Sequence, residues 1–221
     1  MNKGETRNKL LDAAARLFHE QGFAATGVAT ILREAGVNSG SLYHFFPSKE
    51  DLLKGVLERY TELLHPIVLE PVEQVETDPV ERVFALLAVY RRGLEATGCR
   101  RGCPIGNLAL EVSDSYPRAR PGIDRNFRNW TDGVTRWLAQ ARERFPAATD
   151  LETLAEFVLV VMEGGLMLAR ARDSLAPFDR AVAVLRGHFD RLLQGAVREQ
   201  QSSGTTNRDD VTDTNTGGSE S

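Results

Sequence analysis

The sequence predicts an all-α protein, and three observations carry that reading. Apolar residues recur at helical spacing along most of the chain, no stretch alternates apolar and polar residues as a half-buried strand would, and glycine or proline punctuates the intervals. The first helix covers about residues 6–21, with Leu10, Leu11, Ala14, Leu17 and Phe18 on its inner face and Gly22 as a glycine C-cap. Thr26 is placed to cap a second helix of about two turns, whose inner face is Val28, Ile31 and Leu32 and which stops at Ala35-Gly36. Asn38 or Ser39 caps a third short helix through Phe46, which Pro47 must end. Ser48 caps a fourth, with Glu50 and Asp51 near its positive end and Leu52, Leu53, Val56, Leu57 and Tyr60 facing inward as far as His65. Further helices are expected over about 78–97, 104–115, 121–144, 150–173 and 177–199.

A chain of 221 residues can bury a real core, and 42% hydrophobic with 26% charged residues is ordinary globular composition. The formal net charge of -4 gives no global attraction to polyanions, so any such site must be local. No apolar run is long enough to span a bilayer, and the N-terminus lacks the charged stub and apolar block of a secretory signal, so a cytoplasmic protein is expected. The two cysteines, Cys99 and Cys103, are too few for a disulfide framework. Residues 199–221 are polar and rich in Ser, Thr, Gly and Asp, and read as a disordered tail.

Two short helices joined through Ala35-Gly36-Val37 and braced by a longer first helix make a helix-turn-helix, whose second member can enter a major groove about 12 Å wide. Gly40 with the small Ser39 and Ser41 lets that helix approach DNA closely, while Leu42, Phe45 and Phe46 anchor it inward. Tyr43 offers a phenolic hydroxyl and His44 a ring donor on the outer side. Lys49 opposes the dipole of the fourth helix, which makes sense beside a phosphate. Residues 1–9, with Lys3, Arg7 and Lys9, are a candidate basic arm or a solubilising terminus.

The stretch TGVATILREAGVNSGSLYHFFPSKEDLL resembles the DNA-binding segment of the TetR (tetracycline-repressor) family of bacterial transcriptional regulators. The resemblance covers about the first 55 residues. It implies a homodimer on a near-palindromic double-stranded operator, with Thr26, Tyr43 and Lys49 on phosphates and Ser39, Gly40, Ser41 and His44 close to bases or backbone. Where members commonly carry histidine or tyrosine, this chain has Phe45, so a phosphate bond from that position is lost. The division that follows is a DNA-binding domain over 1–50, a helical effector-binding and dimerisation domain over 51–198, and the tail.

In that second region Tyr90, Asn107, Phe127, Trp130, Trp137 and Met162 are candidates to line an apolar effector cavity, together with Cys103. Pro104 suits the first position of a helix, leaving Cys103 as its N-cap, where the helix N-terminus and Arg100 and Arg101 are expected to lower the thiol pKa. GCPIGNLALE and MEGGLMLARA resemble, more loosely, the subgroup of lincomycin-resistance, flavonoid-responsive and electrophile-sensing repressors, which implies either an electrophile sensor at Cys103 or a pocket for a planar apolar ligand. Leu151, Leu154, Val158, Val161, Gly165 and Leu168 mark one apolar stripe, and Phe178, Val182, Leu185, Phe189 and Leu192 another; paired copies would form a four-helix interface. The rival reading is a thiol-dependent enzyme using Cys103 with His19, His44, His65 or His188 as base, but no spacing brings a histidine to it. No cofactor and no metal are expected, since the C-x-x-x-C pair lacks a second ligand pair.

Overall fold

The computed structural model describes residues 3–209, with side chains through Arg198. Among the described residues there is no strand; ten α-helices make the protein. They are α1 (Lys3–Gln21), α2 (Val28–Ala35), α3 (Ser39–Phe45), α4 (Lys49–Leu64), α5 (Glu70–Val75), α6 (Pro79–Ala96), α7 (Pro104–Val112), α8 (Arg120–Gln140), α9 (Leu151–Arg172) and α10 (Ala176–Asp209). No helix among them is long and apolar enough to cross a membrane.

The first three helices form a compact head around Leu10, Leu17, Phe18, Ile31 and Leu42, all buried. The α2–α3 turn has a definite cause: Gly36 sits at φ 65°, ψ 35°, a left-handed position that glycine takes without steric penalty. There Gly36 N–H donates to Arg33 O and Val37 N–H to Leu32 O, closing α2 as a Schellman-type cap. Asn38 caps α3 by accepting from Ser41 N–H at 2.9 Å, and Ser48 caps α4 by accepting from Asp51 N–H at 3.1 Å while its own hydroxyl donates to Asp51 Oδ2. α4 docks the head on the rest: Leu52, Leu53, Val56 and Leu57 are buried, and a methyl on Gly55 would come within 3.0 Å of both Phe46 and Leu11.

Three expectations need correction. Thr26 does not cap α2; Gly27 holds that position without a side-chain bond, and the fully buried Thr26 hydroxyl donates inward to Gly22 O (2.7 Å) and Leu17 O (3.3 Å). The chain does not stop at Pro66: a π-helical turn, His65–Leu69, carries it into α5, with Glu70 N–H bonding back to His65 O. That wider turn absorbs the missing proline donor, and burial of Leu69 and Val72 holds the segment against the bundle. α10 is helical to Asp209, eleven positions into the expected tail; Glu199, Gln200 and Gln201 are adequate helix formers and no proline interrupts the register. The remainder of that expected tail, 210–221, lies outside the described residues.

The bundle core is α6, α8, α9 and α10 around Leu86, Leu87, Trp137, Leu138, Val158 and Phe189. α9 and α10 pack closely because Gly165 leaves room: a methyl there would stand 2.9 Å from the Phe178 ring. Leu53→Ala, which empties a fully buried site on α4, is expected to lower unfolding free energy by about 3 kcal/mol in chemical denaturation.

Candidate DNA-reading face and effector cavity

The candidate reading face is the outer side of α3. Ser39 and Gly40 are exposed there, the Ser41 hydroxyl bonds Asn38 Oδ1 at 3.1 Å, and a methyl on Gly40 would meet only Asn38 Oδ1. Tyr43 is 55% exposed, which frees its hydroxyl for an external partner, and His44 is exposed beside it. Leu42 and Phe46 are buried and Phe45 is half-buried, so the inner anchors expected from the sequence do face inward. Thr26, expected on a phosphate, is instead a core residue of the α1–α2 turn. Lys49 is turned toward the protein: its ammonium donates to Phe23 O at 2.5 Å and lies 4.2 Å from the Phe23 ring centroid. Burial pushes its pKa down, and the nearby Glu111 carboxylate opposes that shift. Of the candidate basic arm, residues 3–9 belong to α1, with Lys9 paired with Glu5 and Arg7 over Phe46; residues 1–2 lie outside the described residues.

The bundle encloses a cavity of about 460 Å³ between α4, α6, α7, α8 and α9. Tyr90, Cys103, Phe127, Trp130 and Met162 all reach its wall, five of the seven side chains picked from the sequence. Trp130 Nε1–H donates to Tyr90 Oη at 3.1 Å, so two large polar tips satisfy each other in an apolar wall. The other two lie elsewhere. Trp137 is buried in the bundle core with its indole N–H on Glu73 Oε1 at 2.7 Å, and Asn107 lines a smaller cavity of about 240 Å³, where it accepts from Arg170. Helical period alone does not show which side of a helix a hollow lies on.

Cys103 caps α7 as expected, accepting from Gly106 N–H at 3.5 Å. Its thiol pKa moves the other way from the expectation. Burial pushes it well up and the adjacent Glu163 carboxyl adds to this, outweighing the helix N-terminus. Arg101 offers no relief because it is exposed and paired with Glu20 at 2.8 Å. The residue is a neutral buried thiol, not a reactive thiolate.

Sequence reasoning did not find the roles of His19 and Glu111, which join the bundle to the head, or of Glu163 on the cavity wall. His19, on α1, lies on the cavity wall with its Nε2–H donating to Gly102 O at 2.8 Å. Burial pushes its pKa down and Arg101 and Arg170 push in the same direction, against the Gly102 bond. Glu111, on α7, accepts from Phe23 N–H (2.8 Å) and Ala24 N–H (2.7 Å), gripping the α1–α2 turn. Gly22, at φ 87°, lets that turn close around the carboxylate, since a methyl there would stand 3.1 Å from both carboxylate oxygens. Glu163, on α9, shares a hydrogen bond with Cys103 at the cavity wall.

The stripes expected to form the dimer face are mostly internal. Leu154, Val158, Gly165, Phe178, Leu185 and Phe189 are buried within the protomer, because neighbouring helices bury their shared apolar side against their own bundle first. Leu168 of the expected stripe is exposed, and beside it on the same pair of helices so are Phe157, Val160 and Met167 on α9 and Val184 and Val197 on α10.

A helix-turn-helix head with an open reading helix, carried on an all-helical bundle with an internal cavity, defines a DNA-binding regulator. The chain matches the family model "Bacterial regulatory proteins, tetR family" over residues 10–56 and the model "Transcriptional regulator LmrA/YxaF-like, C-terminal domain" over 79–184. It is 30% identical over 176 residues to the HTH-type transcriptional regulator YxaF of Bacillus subtilis, covering 80% of this chain and 91% of that one. With the HTH-type transcriptional regulator LmrA of the same organism it shares 30% identity over 178 residues, covering 80% and 93%. A crystal structure of regulatory protein TetR from Rhodobacter sphaeroides superposes with a TM-score of 0.73 at 25% identity, covering 82% of this chain and 97% of that one. The protein belongs to the TetR family, in the branch whose C-terminal domain is LmrA/YxaF-like, and is a transcriptional regulator; the thiol-enzyme alternative falls.

Because the folded pKa of His19 lies below its unfolded value, the unfolded chain takes up the proton first on acidification. His19 therefore favours the folded state at pH 7 and loses that contribution as pH falls below about 6.5. Comparing denaturation of wild type and His19→Gln between pH 7.5 and 5 should show a steeper acid loss in wild type.

Proposed function

We propose that the protein is a homodimeric repressor that grips a near-palindromic operator through two copies of α3 and releases it when a small apolar effector enters the cavity. Residues 1–50 act as the reading head and 51–198 as the effector-binding and dimerisation region, working in the cytoplasm. Ser39, Gly40, Tyr43 and His44 are exposed along α3 and Ser41 is half-buried among them, and in this reading these five meet phosphates and base edges. Lys49 can join them only by leaving the Phe23 carbonyl.

The observation that carries this reading is the position of α7. Its first residues, Cys103 to Ile105, wall the cavity, and one of its last, Glu111, holds the backbone of the head. A nine-residue helix is a stiff rod of about 13 Å, so a body that displaces its N-terminal end also shifts Glu111 and the α1–α2 turn. Operator half-sites lie about one DNA turn apart, and small rotations of two heads spoil that spacing. The exposed apolar residues of α9 and α10 suit a two-fold interface that sets the separation. A non-covalent apolar effector fits better than an electrophile, because the Cys103 thiol is neutral and buried.

The test uses a double-stranded fragment from upstream of the protein's own gene. Binding should weaken steeply with salt as phosphate contacts release counterions, and Tyr43→Ala should lower affinity about tenfold, one charge-assisted hydrogen bond's worth, with an unchanged melting temperature. Salt-independent binding, or full affinity in Tyr43→Ala, would count against the proposed face.

A further inference from the structure

Glu163 stands in the wall shared by the two cavities, with Cys103 and Phe127 as its neighbours in that wall. Its Oε1 is buried without any hydrogen-bond partner, and no ion pair found among the described residues includes this carboxyl. Arg101, on the wall of the larger cavity, is paired with Glu20, and His19 donates to Gly102 O and is kept neutral by burial. Arg170 lies on the wall of the smaller cavity, where it bonds the neutral amide oxygen of Asn107. The Tyr60 and Tyr90 hydroxyls are neutral as well, burial pushing both pKa values up. Gly106 has no side chain at the contact; a methyl there would overlap the Glu163 carboxyl.

A buried carboxyl with an unfilled oxygen and no counter-ion is costly, and native proteins keep such a group where something else completes it. The rest of the wall indicates what. Tyr60, Tyr90, Phe127 and Trp130 place four aromatic side chains in the larger cavity, and ring faces attract cations while giving anions nothing. In the larger cavity an anionic ligand would meet this acid, and the arginine on that wall, Arg101, is already paired with Glu20. A purely apolar ligand would leave the orphan oxygen as it is.

We propose that the effector carries a positively charged nitrogen on an apolar, ring-sized body, and that Glu163 receives that charge among the cavity aromatics. This rests on reading the cavity as the effector site, and deepens that reading by naming the ligand class and a residue that selects it. In the empty cavity burial favours the protonated acid, since it raises the carboxyl above its usual range against the Cys103 bond. An entering cation stabilises the carboxylate, and the proton leaves to solvent.

The experiment compares two probes of the same shape, 10-methylacridinium and its uncharged carbon isostere 9-methylanthracene, titrated against the full-length protein by fluorescence. The expected result is at least tenfold tighter binding of the cation to wild type, with the preference falling to near unity in Glu163→Gln. Equal or weaker binding of the cation overturns the inference and leaves the cavity reading standing, as does a preference that persists in the glutamine variant. If neither probe binds, the cavity reading falls with it, whereas operator binding by the same preparation is scored separately. Should the variant not fold, the wild-type ratio alone decides.

Discussion

Glu111 is the contact on which the architecture turns. Its carboxylate accepts the two backbone N–H groups of Phe23 and Ala24 at 2.8 and 2.7 Å, and it comes from the far end of a helix that begins at the cavity wall. Charge-assisted bonds to backbone amides are short and directional, so they fix position more tightly than apolar packing of the same area. The turn they hold is also held from the other side: Lys49 donates to Phe23 O, and the Phe23 ring packs edge-on against Phe18 and Tyr116. One loop of the head is thus clamped by an acid from the bundle and a base from α4.

A second set of contacts surrounds that clamp. His19 reaches from α1 to Gly102, Arg101 to Glu20, and Arg118 makes two bonds to Glu50 on α4. The exposed ion pairs among these are each worth little, but they connect the same two bodies. The core arrangement is unlike this: bulky side chains such as Trp137 and Phe189 are fully packed, while the bundle keeps about 460 Å³ empty beside Cys103 and Glu163. An open cavity of that size forgoes packing energy that a stability-optimised bundle would keep, as functional sites commonly do.

Local chemistry was legible in the sequence; distant chemistry was not. Gly36, Asn38 and Ser48 were readable because turns and caps are decided within four residues, and the bounds of α3 follow from them. Thr26 misled because a hydroxyl before a helix can cap it or bond back into the preceding turn, and here the buried carbonyls of Leu17 and Gly22 compete successfully. The Cys103 cap was readable, but its protonation was not, since that depends on burial and on Glu163, sixty residues away on another helix. His19 and Glu111 have partners 83 and 88 residues distant, so no window of sequence displays them as a pair. Most residues of the α9 and α10 stripes turn out to be buried within the protomer, because a repeating apolar pattern does not say which of two burying surfaces it meets.

Amide hydrogen exchange at Phe23 and Ala24 tests the clamp most directly. If Glu111 holds the head, both amides exchange at least tenfold faster in Glu111→Ala than in wild type, while amides in the middle of α1 and α4 keep their rates. Equal exchange at Phe23 and Ala24 in the two proteins would mean that the carboxylate does not hold the turn, and the link between cavity and reading helix would have to run elsewhere.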